Sequence, residues 1–360
     1  MAVSDRRGVS ALGERRYSKS RMKILLLQLK RIGDLILTTP AIAALRQSFP
    51  DARLTLVVSN ECAQLLPAIS NVDRILIARR NLRDLSVFSS IACKKFDYCV
   101  DFTRNDRSAF LTLLSGARRR IASYRVRDQS RTRACVYTDL VGVRTRDRHT
   151  IDYNLALLEP LDVHAASTSP ELNLPQTAHE KADALRRDSK IARRYLILHP
   201  GSARHEKLWE PERWAGVVEG FKNKDFDLVL TSGPSPDEQA HVAAITKLAD
   251  KQAIDLSAKT DLLTLAALIA QAELLVTVDS APMHLAAATR TPQVILFGPT
   301  NPFHWRPRQS PALILQGKSG APMTDFVPLR PRFAMSEIST ESVISAMDSL
   351  LPRRAAVHTS

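Results

Sequence analysis

The chain has 360 residues, 44% of them apolar, which excludes a disordered protein and is enough for two domains with separate cores. No apolar run approaches the roughly 18 residues that cross a bilayer, and the amino terminus up to Lys23 lacks the apolar centre of a signal peptide, so we expect a cytoplasmic protein. The net charge of +14 favours a polyanionic partner.

The positive charge is concentrated in one segment. Ten arginines and only three aspartates lie between Arg118 and Arg148. This density favours nucleic acid, an anionic membrane face or a phosphorylated glycolipid, although a solvated basic surface stays open. Tyr124 and Tyr137 are the only aromatic residues there, so stacked bases are poorly supported and we expect no nucleic-acid partner. The four cysteines have unrelated spacings, which indicate neither a zinc site nor disulfides.

From Met22 onward, apolar strands alternate with helical stretches. In the first half we predict strands at 23–29, 53–58, 74–78 and 96–102, and helices at 41–48 and 107–115. After a Pro- and Ser-rich segment at 168–176, we predict strands at 194–199, 226–231, 253–256, 273–278 and 293–297, and a last helix at 340–351. Strands separated by helices form parallel βαβ units, so the sequence predicts an α/β protein with two doubly wound halves.

These two series give the domain organisation. We predict a flexible basic tail at 1–21, a Rossmann-like domain at 22–180, a second Rossmann-like domain at 181–335, and a carboxyl-terminal helix and tail at 336–360. Ligands of such sheets bind beyond the carboxyl ends of the strands, so the cleft between the two sheets is the expected site.

The first strand leads into a Gly-Asp pair, Gly33 and Asp34, at the start of a helix. The glycine permits a tight turn, but the G-x-G-x-x-G pattern of dinucleotide-binding folds is absent, which argues against hydride transfer. Asp34 is either a cap of the helix or a general base that faces the cleft.

The strand ends of the second half carry groups suited to an anion. The turn at Gly201 and Ser202 lets backbone amides approach a diphosphate, and Lys207 can supply a point charge, although a simple Pro-Gly turn with a surface lysine stays open. Glu238 either accepts hydrogen bonds from ribose hydroxyls or is a helix-start acid. Thr300 follows another turn whose backbone can come close to a ligand.

The most informative segment is 277–284, a buried strand that turns directly into a helix. The amides at Ser280 and Ala281, with the Ser280 hydroxyl, form a ready anion site and point to a phosphate-bearing substrate. The alternative is that Asp279 and Ser280 only cap the helix. His284 lies one turn further on and can reach the same anion.

Asp225 and Asp227 form an Asp-x-Asp pattern of the kind that two-carboxylate metal sites use. They open a strand, at the wrong end of the sheet for a site, so we predict no metal and no other cofactor.

Taken in order, these motifs resemble glycosyltransferase family 9, the ADP-heptose:lipopolysaccharide heptosyltransferases, over about 22–350. The resemblance rests on Gly33-Asp34 with Leu37-Thr38-Thr39-Pro40, His199-Pro200-Gly201-Ser202 with Lys207 and Trp209, the segment 278–284, and Phe297-Gly298-Pro299-Thr300. Segments 228–234, 278–282 and 305–307 are most similar to the heptosyltransferase III branch, which adds the side-branch heptose of the inner core.

The resemblance implies a GT-B architecture without a metal, in which the second domain binds the sugar nucleotide and the first binds the acceptor. It makes Asp34 the catalytic base of an inverting transfer of heptose from ADP-heptose to a heptose hydroxyl of the phosphorylated lipopolysaccharide inner core. It gives donor-binding roles to Gly201, Ser202, Lys207, Glu238, Asp279, Ser280, Ala281, His284 and Thr300.

The arginine-rich segment belongs to the half expected to hold the acceptor. We therefore expect Arg118, Arg119, Arg120 and Arg125 to bind the phosphorylated acceptor. The basic tail would add weak attachment to the anionic cytoplasmic face of the inner membrane. The oligomeric state is not indicated.

Two alternatives stay open at this stage. One is a family 9 enzyme with another nucleotide-sugar donor or envelope-glycan acceptor, because donor choice depends on a few pocket contacts. The other is a non-catalytic protein that binds a nucleotide or anionic glycan, which would have no need for a carboxylate at Asp34 facing the cleft.

Overall fold

The computed structural model describes residues 21–79, 81, 84–222 and 224–351. Apart from Arg21, the predicted basic tail lies outside these residues, as does the end of the predicted carboxyl-terminal tail. The strands of the first half are β1 (Lys23–Gln28), β2 (Arg53–Ser59), β3 (Arg74–Ala78), β4 (Tyr98–Asp101), β5 (Arg119–Ser123) and β6 (Asp139–Val141). Those of the second half are β7 (Tyr195–His199), β8 (Asp227–Leu230), β9 (Ile254–Asp255), β10 (Leu274–Val278), β11 (Gln293–Leu296) and β12 (Ala312–Leu315).

Helices connect the strands in both halves. In the first half they are α1 (Ile32–Ile36), α2 (Thr39–Ser48), α3 (Asp84–Ala92), α4 (Asp106–Leu114), α5 (Arg125–Gln129), α6 (Arg131–Ala134) and α7 (Thr150–Ala156). They continue as α8 (Gln176–Asp188), α9 (Pro211–Phe221), α10 (Pro236–Leu248), α11 (Leu262–Gln271), α12 (Ala281–Thr289), α13 (Pro302–Trp305) and α14 (Thr340–Leu350). Among the helices of the described residues, none has the length and apolar content to cross a bilayer.

Within the described residues, each half forms one six-stranded parallel sheet with the same topology. The first sheet has the order β3-β2-β1-β4-β5-β6, and the second has the order β9-β8-β7-β10-β11-β12. In the first sheet the strands are therefore added in one direction from β1 to β3 and in the opposite direction from β4 onward. The second sheet has the same switch between β7 and β10. Such switch points open a crevice at the carboxyl ends of the two central strands. The predicted α/β class with two doubly wound halves is confirmed.

The core explains why the central strands are apolar throughout. Ile24 and Leu26 of β1 pack into the cluster on one face of the sheet, whereas Leu25 and Leu27 pack into the cluster on the other. All four side chains have no exposed surface. A parallel sheet covered by helices on both faces requires this pattern, because neither face meets water.

The two halves meet at several places. Near the switch points, α1 packs against α12. The segment 60–68 packs against α11, where the Leu262 amide donates to Gln64 Oε1 at 3.1 Å. The segment 148–168 meets the segment 304–309, where Asp152 and Arg308 form a two-point ion pair with N···O distances of 2.7 and 2.8 Å. His149 adds a hydrogen bond of 2.9 Å from its Nε2 to the carbonyl oxygen of Arg306. These contacts fix how the two carboxyl edges face each other.

Three strands of the structure are absent from the sequence-based prediction, namely β5, β6 and β12. β6 has only three residues, and β5 begins with two arginines, so neither has the apolar run that marks a central strand. The predicted boundary between 180 and 181 falls inside α8, which packs along α11 of the second half and is tied to it by Lys181 and Asp261. We therefore propose the domain boundary before Gln176. Helix α14 packs on α9 and completes the second domain.

Candidate active site

Three polar side chains meet at the switch point of the second sheet. Lys207 lies in the loop after β7, and its ammonium donates to Asp279 Oδ2 at 2.6 Å and to the Asp279 carbonyl oxygen at 3.0 Å. Thr300, after β11, donates its hydroxyl to the same Oδ2 at 2.6 Å. Lys207 and Asp279 are both buried. The structure thus brings together three residues that were predicted to bind the sugar nucleotide, each from a different strand end.

The start of α12 provides free backbone amides beside this cluster. Ser280 is the N-cap residue, but among the described residues its side chain accepts no hydrogen bond from the helix amides. Its hydroxyl lies 3.4 Å from the Thr277 hydroxyl instead. Asp279 is engaged by Lys207 and Thr300. The capping alternative is therefore not what the structure shows, and the amides of Ser280 and Ala281 are available to an anion, whereas Pro282 has no amide hydrogen.

His284 points from the next turn of α12 toward the same space. Its side chain is buried, and its Nδ1 has no hydrogen-bond partner among the described residues. Burial lowers the pKa of His284, while the negative charges of Asp279 and Asp34 act against that shift. A neutral, buried imidazole with an unpaired nitrogen is suited to interact with a bound ligand.

The loop after β7 and the loop after β8 hold a carboxylate between them. Glu238 Oε2 accepts the Gly233 amide hydrogen at 2.7 Å. A Cβ atom at Gly201 would lie 2.4 Å from the same oxygen, so this close approach requires glycine. Beside it, His199 is buried with its Nδ1 2.9 Å from the Thr231 hydroxyl, and burial lowers its pKa to about 4. Glu238 therefore lies between the carboxyl ends of β7 and β8, beside Gly201 and Gly233, and Ser202 after it is half-buried.

Asp34 lies on α1, directly after the switch strand β1 of the first sheet. Its side chain is 15% exposed, and one oxygen lies 3.6 Å from the Lys30 ammonium. The helix is held in place by Thr38, which donates to the Asp34 carbonyl oxygen at 2.7 Å and accepts from Gln28 Nε2 at 2.7 Å. The carboxylate is thus on a fixed backbone and within reach of solvent or a ligand.

Gly33 and His284 bring the two halves of the site into contact. A Cβ atom at residue 33 would lie 2.5 Å from His284 Cδ2, so α1 reaches α12 only because residue 33 has no side chain. Asp34 follows Gly33 directly, and its charge acts on the His284 pKa. The carboxylate of the first domain therefore lies close to α12 of the second.

The arginines predicted to bind the acceptor lie at opposite ends of β5. Arg118, Arg119 and Arg120 lie at the amino end of β5, whereas the crevice lies at its carboxyl end. Arg119 is engaged by Asp139, with N···O distances of 2.5 and 3.3 Å, and Arg120 donates to the carbonyl oxygen of Val136. Their position does not fit the predicted acceptor role, and we withdraw it. Arg125 follows the carboxyl end of β5 and stays a candidate.

Sequence reasoning missed two further residues at the first switch point. Arg104 follows β4 and stacks its guanidinium on Tyr153, with the carbon Cζ 5.0 Å from the ring centroid. The position of Arg104 after the end of β4 is the signal in the sequence, whereas the density of arginines along the chain points to the segment 118–148 instead.

Comparisons with known proteins place these features in a family. The model of glycosyltransferase family 9 (heptosyltransferase) matches residues 85–326. Lipopolysaccharide heptosyltransferase 3 of Escherichia coli K12 is 29% identical over 336 residues, which are 90% of this chain and 96% of that protein. Lipopolysaccharide core heptosyltransferase OpsX of Haemophilus influenzae is 25% identical, over 93% of this chain and 98% of that protein.

Solved structures share the fold. A family 9 glycosyltransferase from Veillonella parvula superposes with a TM-score of 0.77 at 24% identity, covering 91% of this chain and 97% of that one. E. coli ADP-heptose lps heptosyltransferase II gives a TM-score of 0.74 at 19% identity, with 91% and 98% covered.

Two Rossmann-like domains, with the cluster of Lys207, Asp279 and Thr300 at the switch point of one and Asp34 at that of the other, together with these relatives, define a glycosyltransferase of the GT-B class. The chain belongs to glycosyltransferase family 9, the heptosyltransferase family. The predicted family is confirmed.

Proposed function

We propose that this chain transfers heptose from ADP-heptose to a heptose hydroxyl of the lipopolysaccharide inner core, with inversion at the anomeric carbon. The observation that supports the proposal is the approach of α1 to α12, where Gly33, the neighbour of Asp34, abuts His284. The relatives named heptosyltransferase 3, at 29% and 27% identity, support the type III specificity.

The donor side of the proposal assigns ADP to the second domain. The Ser280 and Ala281 amides, with His284 and Lys207, would hold the diphosphate, because they are fixed donors where negative charge develops on departing ADP. Lys207 donates to Asp279 Oδ2 at 2.6 Å, and a diphosphate would compete with this carboxylate for the ammonium. Asp279 and Thr300 would contact the heptose and Glu238 the ribose, while Gly201 and Ser202 would line the approach to the phosphates.

The reaction step uses Asp34 as the general base. Asp34 would take the proton of the acceptor hydroxyl while that oxygen attacks the anomeric carbon, and the bond from this carbon to the ADP oxygen breaks with its electron pair on ADP. Attack from the side opposite ADP inverts the centre in one displacement. Lys207 and the helix amides supply the positive charge that a divalent ion supplies in other sugar-nucleotide enzymes, so we propose a reaction without a metal.

The acceptor side includes a membrane surface. Two apolar residues of α4, Phe110 and Leu113, are 49% and 60% exposed, and Leu85 of α3 is 64% exposed. Phe110 packs edge-on against Phe88 of α3, with ring centroids 5.4 Å apart, so the two helices present one apolar strip, which we call the α3–α4 strip. With Arg118 exposed shortly after α4 and a net charge of +14, this strip is suited to the anionic inner membrane, on its cytoplasmic face, where a lipid-anchored acceptor lies.

The test is release of ADP from ADP-heptose with and without a heptosylated core oligosaccharide. We expect ADP release that depends on the acceptor, a product with the opposite anomeric configuration, and the same rate in EDTA. Binding of ADP-heptose without acceptor-dependent turnover would favour a non-catalytic protein. A larger thermal stabilisation by a UDP- or GDP-sugar than by ADP-heptose would favour a different donor. Loss of activity in EDTA that magnesium restores would contradict the metal-free reaction.

A further inference from the structure

Three buried hydrogen-bond donors at the first switch point have no acceptor among the described residues. The Nε and Nη1 atoms of Arg104 are buried and make no hydrogen bond to any of the described residues. The same is true of the Tyr153 hydroxyl, which belongs to the ring on which Arg104 stacks. Buried donors are almost always paired, and those of a charged group most of all, so an unpaired set of this kind indicates an absent acceptor of hydrogen bonds.

The nearest buried carboxylate does not fill this role. Asp101, at the end of β4, accepts the amide hydrogens of Thr103 and Arg104 on Oδ1, at 2.8 and 3.0 Å. Its Oδ2 accepts the hydroxyls of Ser108 and Tyr137, both at 2.6 Å. Asp101 therefore fixes the backbone of this loop and leaves the Arg104 guanidinium to another partner.

The loop around Arg104 is built to hold its side chain at the crevice. Arg104 has a φ of 69°, a left-handed conformation that is uncommon for a residue with a side chain. The adjacent Thr103 accepts the Leu29 amide hydrogen on its Oγ1 at 2.7 Å, which ties the loop after β4 to the loop after β1. Lys30 follows Leu29, so Lys30 and Arg104 lie side by side at the switch point.

Two more cations surround the same space. Lys30 is half-buried, and burial lowers its pKa, with the Asp34 charge acting against the shift and the Arg104 charge adding to it. Arg125 enters from the end of β5 and donates to the Thr145 hydroxyl at 2.7 Å. The Arg125 charge also acts to lower the pKa of the Tyr153 hydroxyl, against the effect of burial. Several positive groups and an unpaired phenol thus converge beside the proposed base.

We infer that Arg104, Tyr153, Lys30 and Arg125 form a binding site for an oxyanion, a phosphate or a carboxylate, carried by the acceptor close to the reacting hydroxyl. The planar guanidinium offers two adjacent N–H donors, which match two oxygens of such a group. All four residues belong to the first domain, whereas the proposed donor site is built from Lys207 and α12 of the second, so we assign this oxyanion to the acceptor. This inference rests on the proposed function only for the identity of the molecule that carries the oxyanion.

The direct test measures anion binding without turnover. Thermal unfolding is followed in inorganic phosphate and, separately, in acetate, each against chloride at equal ionic strength, with and without ADP. We expect saturable stabilisation by at least one anion in the wild-type protein and in Arg53→Gln, an exposed arginine at the amino end of β2, and its loss in Arg104→Gln. The anion that stabilises more identifies the chemical class.

Each outcome has a separate meaning. Equal stabilisation of Arg104→Gln and wild type, or no stabilisation of wild type beyond chloride, would overturn the inference. Failure of ADP to stabilise the protein would count against the proposed function and leave the comparison of variants valid. If Arg104→Gln does not fold, Arg104→Lys keeps the charge without the two-donor geometry and should bind the anion more weakly than wild type.

With an active acceptor, Arg104→Gln should lower kcat/KM about 10- to 100-fold through KM for the acceptor, with KM for ADP-heptose unchanged. A lowered kcat at unchanged acceptor KM would contradict the site.

Discussion

The pair of Lys207 and Asp279 illustrates how single residues prepare this site for a charged ligand. Lys207 is buried, and its charge is balanced by Asp279, whose Oδ2 lies 2.6 Å from the ammonium. An arriving diphosphate would take over part of that balance, and the ammonium is already where it is needed. The cost of ordering a flexible lysine is therefore met before the donor binds.

Replacing Lys207 with methionine tests this role at the residue scale. We expect Lys207→Met to weaken ADP binding about 10- to 100-fold, because a hydrogen bond from a charged group contributes about 1.5–3 kcal/mol. Isothermal titration with ADP gives the dissociation constant. Lys222→Met, which removes an exposed lysine paired with Glu219 on α9, is the matched control and should bind ADP normally. Equal ADP affinity of Lys207→Met and wild type would contradict the role.

At the residue scale, the sequence indicated which side chains lie at a strand's carboxyl end where an apolar strand precedes them, but not in the basic segment. Lys207, Asp279 and His284 follow directly from their place after a strand, because the carboxyl ends of parallel strands share one edge. Arg118 and its two neighbours were assigned by charge density, which does not tell which end of a strand a residue occupies. Arg104 stands alone in sequence and becomes notable only when Tyr153, far along the chain, packs beneath it.

At the scale of elements, α7 depends on a neutral histidine. His149 is the N-cap residue: its Nδ1 accepts the Ile151 amide hydrogen at 3.2 Å, which leaves the Nε2 hydrogen to bond the Arg306 carbonyl oxygen across the domain interface. Burial, with the charge of Arg308, lowers the pKa of His149 to about 3. Protonation of Nδ1 would remove the acceptor that caps the helix.

Acid should therefore weaken this contact. The unfolded chain takes up a proton on His149 below its usual pKa of 6.5, whereas the folded chain resists until about 3, so the stabilisation is complete above 6.5 and decreases as the pH falls. Between pH 6.5 and 5 the loss is about 2 kcal/mol. Urea unfolding of wild type and His149→Gln at about pH 7.5 and 5 measures it. We expect wild type to lose about 2 kcal/mol more than the variant, and an equal loss in both would contradict the account.

The α3–α4 strip gives a second prediction at this scale. Glutamate at both Phe110 and Leu113 should reduce co-sedimentation with vesicles of phosphatidylethanolamine and phosphatidylglycerol several-fold, because it removes apolar contact and adds repulsion from the anionic lipid. Leu248→Glu, at a residue of α10 that is 51% exposed, is the control and should bind as wild type does. Equal loss in the control, or none in the double variant, would exclude the strip as the membrane contact.

Elements with strong apolar patterns were predicted from the sequence, and those set by tertiary contacts were not. The predicted strand at 74–78 coincides with β3, and the predicted helix at 340–351 is α14 with one residue fewer. β6 and β12 are edge strands of three and four residues, so their pairing is decided by the neighbouring strand rather than by their own composition.

At the scale of the whole molecule, the site exists only because two domains of the same topology face each other. In the proposed reaction each switch point supplies half of the chemistry: the first carries Asp34 with the cations beside it, and the second carries the start of α12. That each half is a doubly wound parallel sheet follows from the alternation of strands and helices in the sequence, whereas the strand order comes from the structure. The relative placement of the domains does not, because it depends on the contact of Gly33 with His284 and on the ion pair of Asp152 with Arg308.

The most direct test of the account is the turnover and donor binding of Asp34→Asn, which keeps the shape of the side chain and removes the base. We predict that kcat for acceptor-dependent ADP release falls about 10²–10⁴-fold, while the dissociation constant for ADP stays at the wild-type value, because Asp34 acts on the acceptor and not on the nucleotide. Turnover that is unchanged in this variant would contradict the proposed role of Asp34 as the catalytic base.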